Sequence, residues 1–298
     1  MFYIFVINGR PNFKDRIQTE VERQLAENPV DHMVYVTKGQ GDAIRFVRLY
    51  CDLHEKDEIC FVACGGSGTL NEVASGIVGF RNKSLAFMAF GSTNDFCKTF
   101  PGLDFTSLGK ILRGKHRDID IIRAGDNYAI NMINVGFDAM VTFEGYNLIA
   151  KGMDGAKAYR KGVVRCILNS RFNKIRVFTD GKPLNRRWML LTSLGNGQWC
   201  GGQFHCAPNA VTDDGLMDVC LIRCITLLGF LLILKKYTEG RHVTDPFCRR
   251  RMVFCRASRA ELKSDHLIYL GLDGEIVAAS QFDIEVLPSE IDFIFPEE

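Results

Sequence analysis

Five residues, Gly65-Gly66-Ser67-Gly68-Thr69, follow the apolar run 59–63 and precede Leu70, Val73, Ala74 and Ile77, which have the spacing of a buried helical stripe. A strand, a glycine turn and a helix start coincide here. Glycines let backbone approach a phosphate closely and adopt positive φ, while the free amides and dipole of a helix N-terminus favour an anion. A second segment of the same chemistry, Gly91-Ser92-Thr93-Asn94-Asp95, follows the next apolar run and precedes another helical stretch. No lysine-bearing G-x-x-x-x-G-K-[ST] loop occurs, so a nucleotide is not clamped in that way. Far along the chain, Asp273 and Glu275 are spaced to share one side of an extended segment, an arrangement open to proton transfer or to a solvated turn. Either glycine cluster, taken alone, also fits a tight structural turn.

The elements that must hold these residues change in texture along the chain. Up to residue 120, strand-like runs at 2–7, 33–37, 59–63 and 85–90 alternate with amphipathic stretches. Residues 13–27 place Ile17, Val21 and Leu25 one per turn, and 42–53 place Ala43, Phe46, Val47 and Tyr50 on one face. This pattern predicts parallel strands with helical crossovers, and open α/β sheets bind ligands at the carboxyl edge where both glycine loops fall. After Asp120 the runs 128–135, 174–179, 188–194, 216–222 and 267–272 predict a second, mostly antiparallel β domain. A helical insertion at 143–172, rich in Lys and Arg, and a helix at 226–238 decorate it. The tail, 282–295, is strand-like and suits either domain. The boundaries read as 1–122, 123–285 and a terminal strand, 286–298, for which return to the first domain is one option.

Composition narrows the function classes. The 298 residues are 47% hydrophobic and 24% charged, enough for one or two ordinary folded domains without disorder. Thirty-seven basic and thirty-five acidic residues leave a net charge of +2, no field for nucleic acid, so an anion needs a local site. Residues 1–7 lack a basic leader and a cleavage site and read as a strand, not a secretion signal. The most apolar run, 224–234 between Arg223 and Lys235, has about half of the roughly 20 residues that cross a bilayer. The eleven cysteines include no C-x-x-C pair, and Cys60, Cys64, Cys220 and Cys224 lie in or beside apolar runs, as reduced thiols of a cytoplasmic protein do.

Taken together, the motifs resemble the diacylglycerol kinase catalytic family, which includes bacterial lipid kinases, sphingosine and ceramide kinases and is related to NAD kinases. The family's G-G-D-G-T-x-N-E is matched by Gly65 to Glu72, and its G-T-x-N-D-F by Gly91 to Phe96. Asn131 to Ala139 resembles I-N-x-x-x-x-G-F-D-A. Asn196-Gly197, Gly201-Gly202 and Ala207 to Val219 resemble N-G-x-x-x-G-G with A-P-x-A-x-x-D-D-G-x-x-D-V, and Leu272-Asp273-Gly274-Glu275 the late D-G-E. The A-P-x-A and D-D-G pieces favour lipid kinases over NAD kinases.

The resemblance implies an α/β nucleotide-binding domain with a parallel sheet, a mostly antiparallel, β-sandwich-like acceptor domain, and Mg-ATP on the glycine loops with an acceptor hydroxyl entering beside the second domain. It implies ATP-side roles for Asn8, Thr37, Gly65, Gly66, Ser67, Gly68, Thr69, Glu72, Gly91, Thr93, Asn94 and Asp95. Asp273 matches the base that receives the hydroxyl proton, with Glu275 beside it. Asp95 and Asp120 match carboxylates that organise Mg²⁺ and its waters, and Asp214 an accessory metal site whose plain alternative is an Asp-Gly turn. Diacylglycerol is the conservative acceptor, with other lipid alcohols and soluble hydroxyls left open.

The important departure from the family lies in the first glycine loop. Ser67 stands where the family has Asp, and a neutral hydroxyl cannot give Mg²⁺ a full ligand charge or act as a base near pH 7. This leaves a kinase with altered or weakened catalysis or, as the main alternative, a non-catalytic nucleotide or lipid sensor. Gly65-x-Ser67-x-Thr69 also resembles a hydrolase elbow, for which His205, His242 and His266 are the later candidates for the base, none in a recognisable context. A lipid acceptor implies contact with a membrane surface. Leu227, Leu228, Phe230, Leu231 and Leu234 with Lys235 and Lys236 suit an interface or a core, and Lys151, Lys157, Arg160, Lys161 and Arg165 suit anionic headgroups, ATP or solvent. Monomer and homodimer are equally compatible with the sequence.

Overall fold

The structure is a computed structural model that describes residues 1–169, 173–186 and 188–298, without the side chains of Asn12, Ala156, Tyr159, Ile167, Leu168, Asn169 and Leu227. The chain divides into two units, Met1–Ile121 with Leu287–Glu298, and Ile122–Val286.

In the first unit, β1 (Phe2–Ile7), α1 (Pro11–Glu27), β2 (His32–Val36), α2 (Asp42–Leu53), β3 (Ile59–Gly65), α3 (Ser67–Ile77) and β4 (Lys83–Ala89) alternate as expected. Strands run in the order β4-β3-β1-β2, all parallel, and Asp292 and Phe293 pair parallel to Ser84 and Leu85 on the β4 side. All of β3 is buried, which is why its sequence is continuously apolar. α1 begins on Pro11, whose missing N–H is no loss at a helix start, and buries Ile17, Val21 and Leu25. After β4 come a 3₁₀ turn (Phe96–Thr99), α4 (Leu108–Leu112) and β5 (Lys115–Ala124).

The second unit holds β6 (Asn127–Ala129), β7 (Met132–Gly136), α5 (Phe137–Ala150), α6 (Gly155–Asn169), β8 (Arg176–Thr179), β9 (Lys182–Pro183), β10 (Met189–Gly195) and β11 (Met217–Arg223). α7 (Leu227–Thr238), α8 (Pro246–Arg249), β12 (Met252–Ala257), β13 (Arg259–Leu272) and β14 (Glu275–Phe295) follow. The order β12-β11-β10-β7-β13-β14 is antiparallel throughout. Its core joins Ile133, Val135, Met189, Leu221, Leu262 and Leu270.

Several elements differ from the sequence reading. The strand expected over 128–135 is two strands, because the amides of Asn131 and Met132 turn away to the Asp273 carboxylate at 3.1 and 2.8 Å. The run 267–272 is the end of a longer β13, whose register shifts between Lys263 and Ile268, where the polar Asp265 and His266 break the apolar pattern. The insertion is two helices, and it starts earlier, at Phe137, because Gly136 turns at φ 84°; Phe172 lies outside the described residues.

Asp138, in the first turn of α5, is partly accessible, yet burial pushes its carboxyl up to about 7. Its charge also raises Cys220 and Tyr237, behind burial as the main cause. An unfolded Asp titrates near pH 4, so between about pH 4 and 7 the native chain keeps a proton that the unfolded chain has lost, and stability falls as pH rises through that window. Asp218, raised by burial to about 6, acts with the same sign. Asp138→Asn is expected to raise the melting temperature at pH 8 and leave it unchanged at pH 4; parallel pH profiles for variant and parent would count against this assignment.

Candidate functional site

The first unit's site is built where its parallel strands end. β3 passes into α3 through a single residue, Gly66, at φ −103° and ψ −170°. Positive φ, expected of this glycine cluster, is found at none of Gly65, Gly66 and Gly68. Space is the constraint instead. A Cβ on Gly65 would stand 2.4 Å from Thr69 Oγ1, and one on Gly91 would stand 2.6 Å from the Cα of Gly66. The Gly65 carbonyl accepts the amides of Phe90 at 2.8 Å and Gly91 at 3.0 Å, joining the two loops backbone to backbone. Gly68 has open space at its Cβ position.

Asn8 and Thr37 close the same edge. The Asn8 amide donates to Cys64 O at 3.0 Å, and Asn8 Nδ2 donates to Thr69 Oγ1 at 2.9 Å. Thr37 Oγ1 accepts the amide of Gly9 at 3.0 Å. In the second loop Asn94 sits at φ 43° and donates through Nδ2 to Gly91 O at 2.9 Å, while Thr93 is exposed. The α3 N-terminus has no side-chain cap, and two buried atoms here have no hydrogen-bond partner, Ser67 Oγ and Asn94 Oδ1. Uncapped first-turn amides, a free hydroxyl and a free amide oxygen suit a polyphosphate with donor groups beyond it. On these observations the edge fits a nucleotide.

The carboxylates are more dispersed. Glu72 accepts the amides of Gly41 at 2.9 Å and Ala43 at 3.2 Å, so its two oxygens cap α2, whose own N-cap residue is a glycine at φ 74°. Asp95 is buried and pairs with Lys98 at 2.9 Å. Asp120 is fully buried, and its Oδ1 accepts the Ser289 amide at 2.9 Å. Among the described residues no group of three His, Cys, Asp or Glu gathers as a metal cage. Mg²⁺ commonly takes one or two carboxylates plus substrate phosphates, a demand that Asp95 alone could meet beside a nucleotide.

In the second unit, Asp273 and Gly274 form the two-residue turn between β13 and β14, with φ of 48° and 97° at the two positions. Positive φ at both is what the twist of a tight hairpin asks, and Asp-Gly supplies it. Residues 273–275 are therefore a turn, not the extended segment that would put Asp273 and Glu275 on one side. Asp273 also donates its own amide to Met132 O at 3.1 Å, and Tyr146 Oη donates to Gly274 O at 2.6 Å. Beside this turn, Asn131 Nδ2 donates to Trp199 O at 3.0 Å and Asn134 Nδ2 reaches Cys200 Sγ at 3.0 Å, while Oδ1 of both is buried without a partner. Asn131 stands in a motif, but only the structure reveals these unpaired oxygens.

The remaining candidates have other partners. Asp214 accepts the Leu216 amide at 3.1 Å and pairs with Arg256, which also reaches Asp218 at 3.2 Å. A metal at Asp214 would compete with that guanidinium. His205 stacks on Trp199 at 4.1 Å, His242 is buried against Cys206 O, and His266 is exposed; among the described residues Ser67 Oγ has no hydrogen-bond partner. Lys151, Lys157, Arg160, Lys161 and Arg165 are exposed, Arg165 pairing with Glu144 at 3.0 Å.

Residues 3–124 match the diacylglycerol kinase catalytic domain family, and residues 131–295 match the YegS C-terminal NAD kinase beta sandwich-like domain family. The chain belongs to the YegS and diacylglycerol kinase family. It is similar to a "Probable lipid kinase YegS-like" of Serratia proteamaculans, 28% identical over 98% of this chain and 93% of that protein. It is 26% identical to a diacylglycerol kinase of Bacillus subtilis over 98% of this chain and 94% of the other. A crystal structure of a diacylglycerol kinase from Bacillus anthracis shares the fold, with a TM-score of 0.71 and 19% identity over 98% and 96% of the two chains. A lipid-kinase family membership thus accompanies the two-unit fold expected from the sequence.

The loop contact can be tested by adding one carbon. Gly91→Ala forces a Cβ against Gly66 and is expected to destabilise by about 1–3 kcal/mol, as overpacking does, lowering the melting temperature. Gly68→Ala meets open space and is expected to leave it unchanged. Equal melting temperatures for the two variants would contradict the close approach.

Proposed function

We propose that the chain moves the γ-phosphate of ATP to a hydroxyl of a lipid, with diacylglycerol as the acceptor that its relatives' names favour. The observation that carries the nucleotide half is the uncapped start of α3 with Ser67 Oγ and Asn94 Oδ1 buried and unpaired beside it. In this reading the first-turn amides of α3 and its dipole hold phosphate oxygens, and the Asn8–Thr69 bond fixes the strand end against that turn. Gly65, Gly66 and Gly91 keep the two loops in contact, with Thr93 at the exposed rim. Asn94 offers its oxygen to a ribose or base donor, and Thr37 holds the neighbouring chain through Gly9. Glu72 acts at one remove, by positioning α2 against α3.

Mg²⁺, when bound, would neutralise the phosphate oxygens; Asp95 is the residue that would hold it, and Asp120 would support from the interior. Asp273 receives the acceptor proton, its carboxylate aimed by the amides of Asn131 and Met132, and Glu275 stands two residues on. Ser67 lowers the negative charge available to the metal, so turnover is slow while nucleotide binding, which rests on backbone amides, persists. No described helix is long and apolar enough to cross a membrane. We place the chain in the cytoplasm, meeting its acceptor at the inner membrane face.

Ser67 also favours a second reading, a sensor that binds nucleotide without transfer. Radiolabelled phosphate transfer to a lipid panel, with calorimetry of ATP binding, separates the two. Expected are ATP binding by all forms, at least tenfold faster turnover in Ser67→Asp (about 1.4 kcal/mol of barrier), and a loss of about 10²–10⁴-fold in Asp273→Asn. Binding without transfer in both the parent and Ser67→Asp points to the sensor, and full activity in Asp273→Asn removes it as the base.

A further inference from the structure

Helix α7 has two apolar faces, and only one is used by the second unit. At about 100° per residue, Phe230, Ile233 and Tyr237 share one side, and all three are buried with Cys206, Cys220 and Met252. Leu228, Leu231, Leu232 and Lys235 share the opposite side, where the leucines are 68%, 54% and 50% exposed. Elsewhere the large exposed apolar side chains come at most in pairs on one helix, Leu49 with Leu53 on α2 and Tyr146 with Ile149 on α5, whereas three leucines here occupy one helical face. The side chain of Leu227 lies outside the described residues. Single exposed leucines are ordinary, but a contiguous set marks an interaction surface.

The charges around this face select its occupant. The nearby acids are already neutralised, Asp245 by Lys236 at 2.6 Å and Glu239 by Arg241. Lys236 therefore ties the end of α7 to the start of α8, and α8 leads to Arg249 and Arg250. At the other end of the helix, Arg223 donates its backbone amide to Arg251 O at 2.9 Å, bringing the chain before α7 beside the chain after α8. Arg223, Lys235, Arg249 and Arg250 are exposed, and none of them forms an ion pair among the described residues. An apolar helical face with an uncompensated cationic surround fits an anionic lipid surface, leucines in the acyl boundary and cations among the headgroups. A second copy of this chain fits poorly, since a two-fold contact would set the same cations against one another. Twelve residues of helix are also too short to span, so the helix would lie in the plane of the surface.

We infer that the exposed face of α7, Leu228, Leu231 and Leu232 with Lys235, Arg249 and Arg250, is the surface by which this chain docks on anionic bilayers. The choice of a bilayer over another partner rests on the lipid-acceptor reading, but docking itself needs neither ATP nor turnover. The test is co-sedimentation of the full chain with phosphatidylcholine vesicles, with and without phosphatidylglycerol, together with phosphate transfer to detergent-dispersed short-chain diacylglycerol. Binding is expected only with phosphatidylglycerol, and to weaken as salt is raised. Leu228→Glu/Leu231→Glu/Leu232→Glu, and separately Lys235→Gln/Arg249→Gln/Arg250→Gln, should each lose at least tenfold in vesicle affinity while transfer to the dispersed acceptor is unchanged. Two unlike variants guard against a folding defect in one. Vesicle binding that survives both sets, or a parent dimer that the leucine variant converts to monomer, overturns the inference. Absent transfer with intact vesicle binding would sink the kinase reading and leave the docking surface standing.

Discussion

The Gly65 carbonyl accepts two amides from the loop after the neighbouring strand, Phe90 at 2.8 Å and Gly91 at 3.0 Å, and this small exchange governs the first unit's carboxyl edge. It demands that Gly66 and Gly91 come within reach of one another, with no room for a Cβ on Gly91. Once they do, β3 must turn into α3 within one residue, and the first-turn amides of α3 are left uncapped beside the second loop. Asn8 and Thr69 then lock the end of β1 to the same turn at 2.9 Å. Each later feature of the edge, including the unpaired Ser67 Oγ and Asn94 Oδ1, follows from that placement.

The second unit applies a comparable constraint with a carboxylate. Asp273 sits in a left-handed turn and binds the amides of Asn131 and Met132, so one side chain both closes the β13–β14 hairpin and splits what would be a single strand into β6 and β7. A residue proposed as a base is thereby held by backbone groups rather than by a second acid. Such anchoring gives a fixed position at the cost of leaving Glu275 outside the shared face that the D-G-E spacing suggested. In the first unit Glu72 shows a related economy, since its two oxygens cap a different helix from the one that carries it.

Much of the first unit was legible because β3 is buried along its whole length and α1 and α2 each bury one face, so 59–63 announces itself as an apolar run and 13–27 and 42–53 by period. The second unit was read less fully. β12 mixes Cys and Arg, and β13 carries Lys263, Asp265 and His266 through its register shift, so neither shows a clean alternation. The glycine cluster was legible as a strand-to-helix turn, but its reason was not: sequence suggests positive φ, whereas the backbone needs only closeness. Pairings such as Arg256 with Asp214, or Lys98 with Asp95, depend on side-chain directions that spacing does not encode. The exposed and buried sides of α7 were likewise indistinguishable in a run that is apolar on both.

In the proposed function the joined glycine loops form an anion cradle from backbone amides. Amide hydrogen exchange with and without a non-hydrolysable ATP analogue measures this directly, residue by residue. Slow exchange is expected at Phe90 and Gly91 in the free chain, with new protection on nucleotide addition at residues 66–69 and 91–95. Unchanged exchange at residues 66–69 when the nucleotide is demonstrably bound would contradict it.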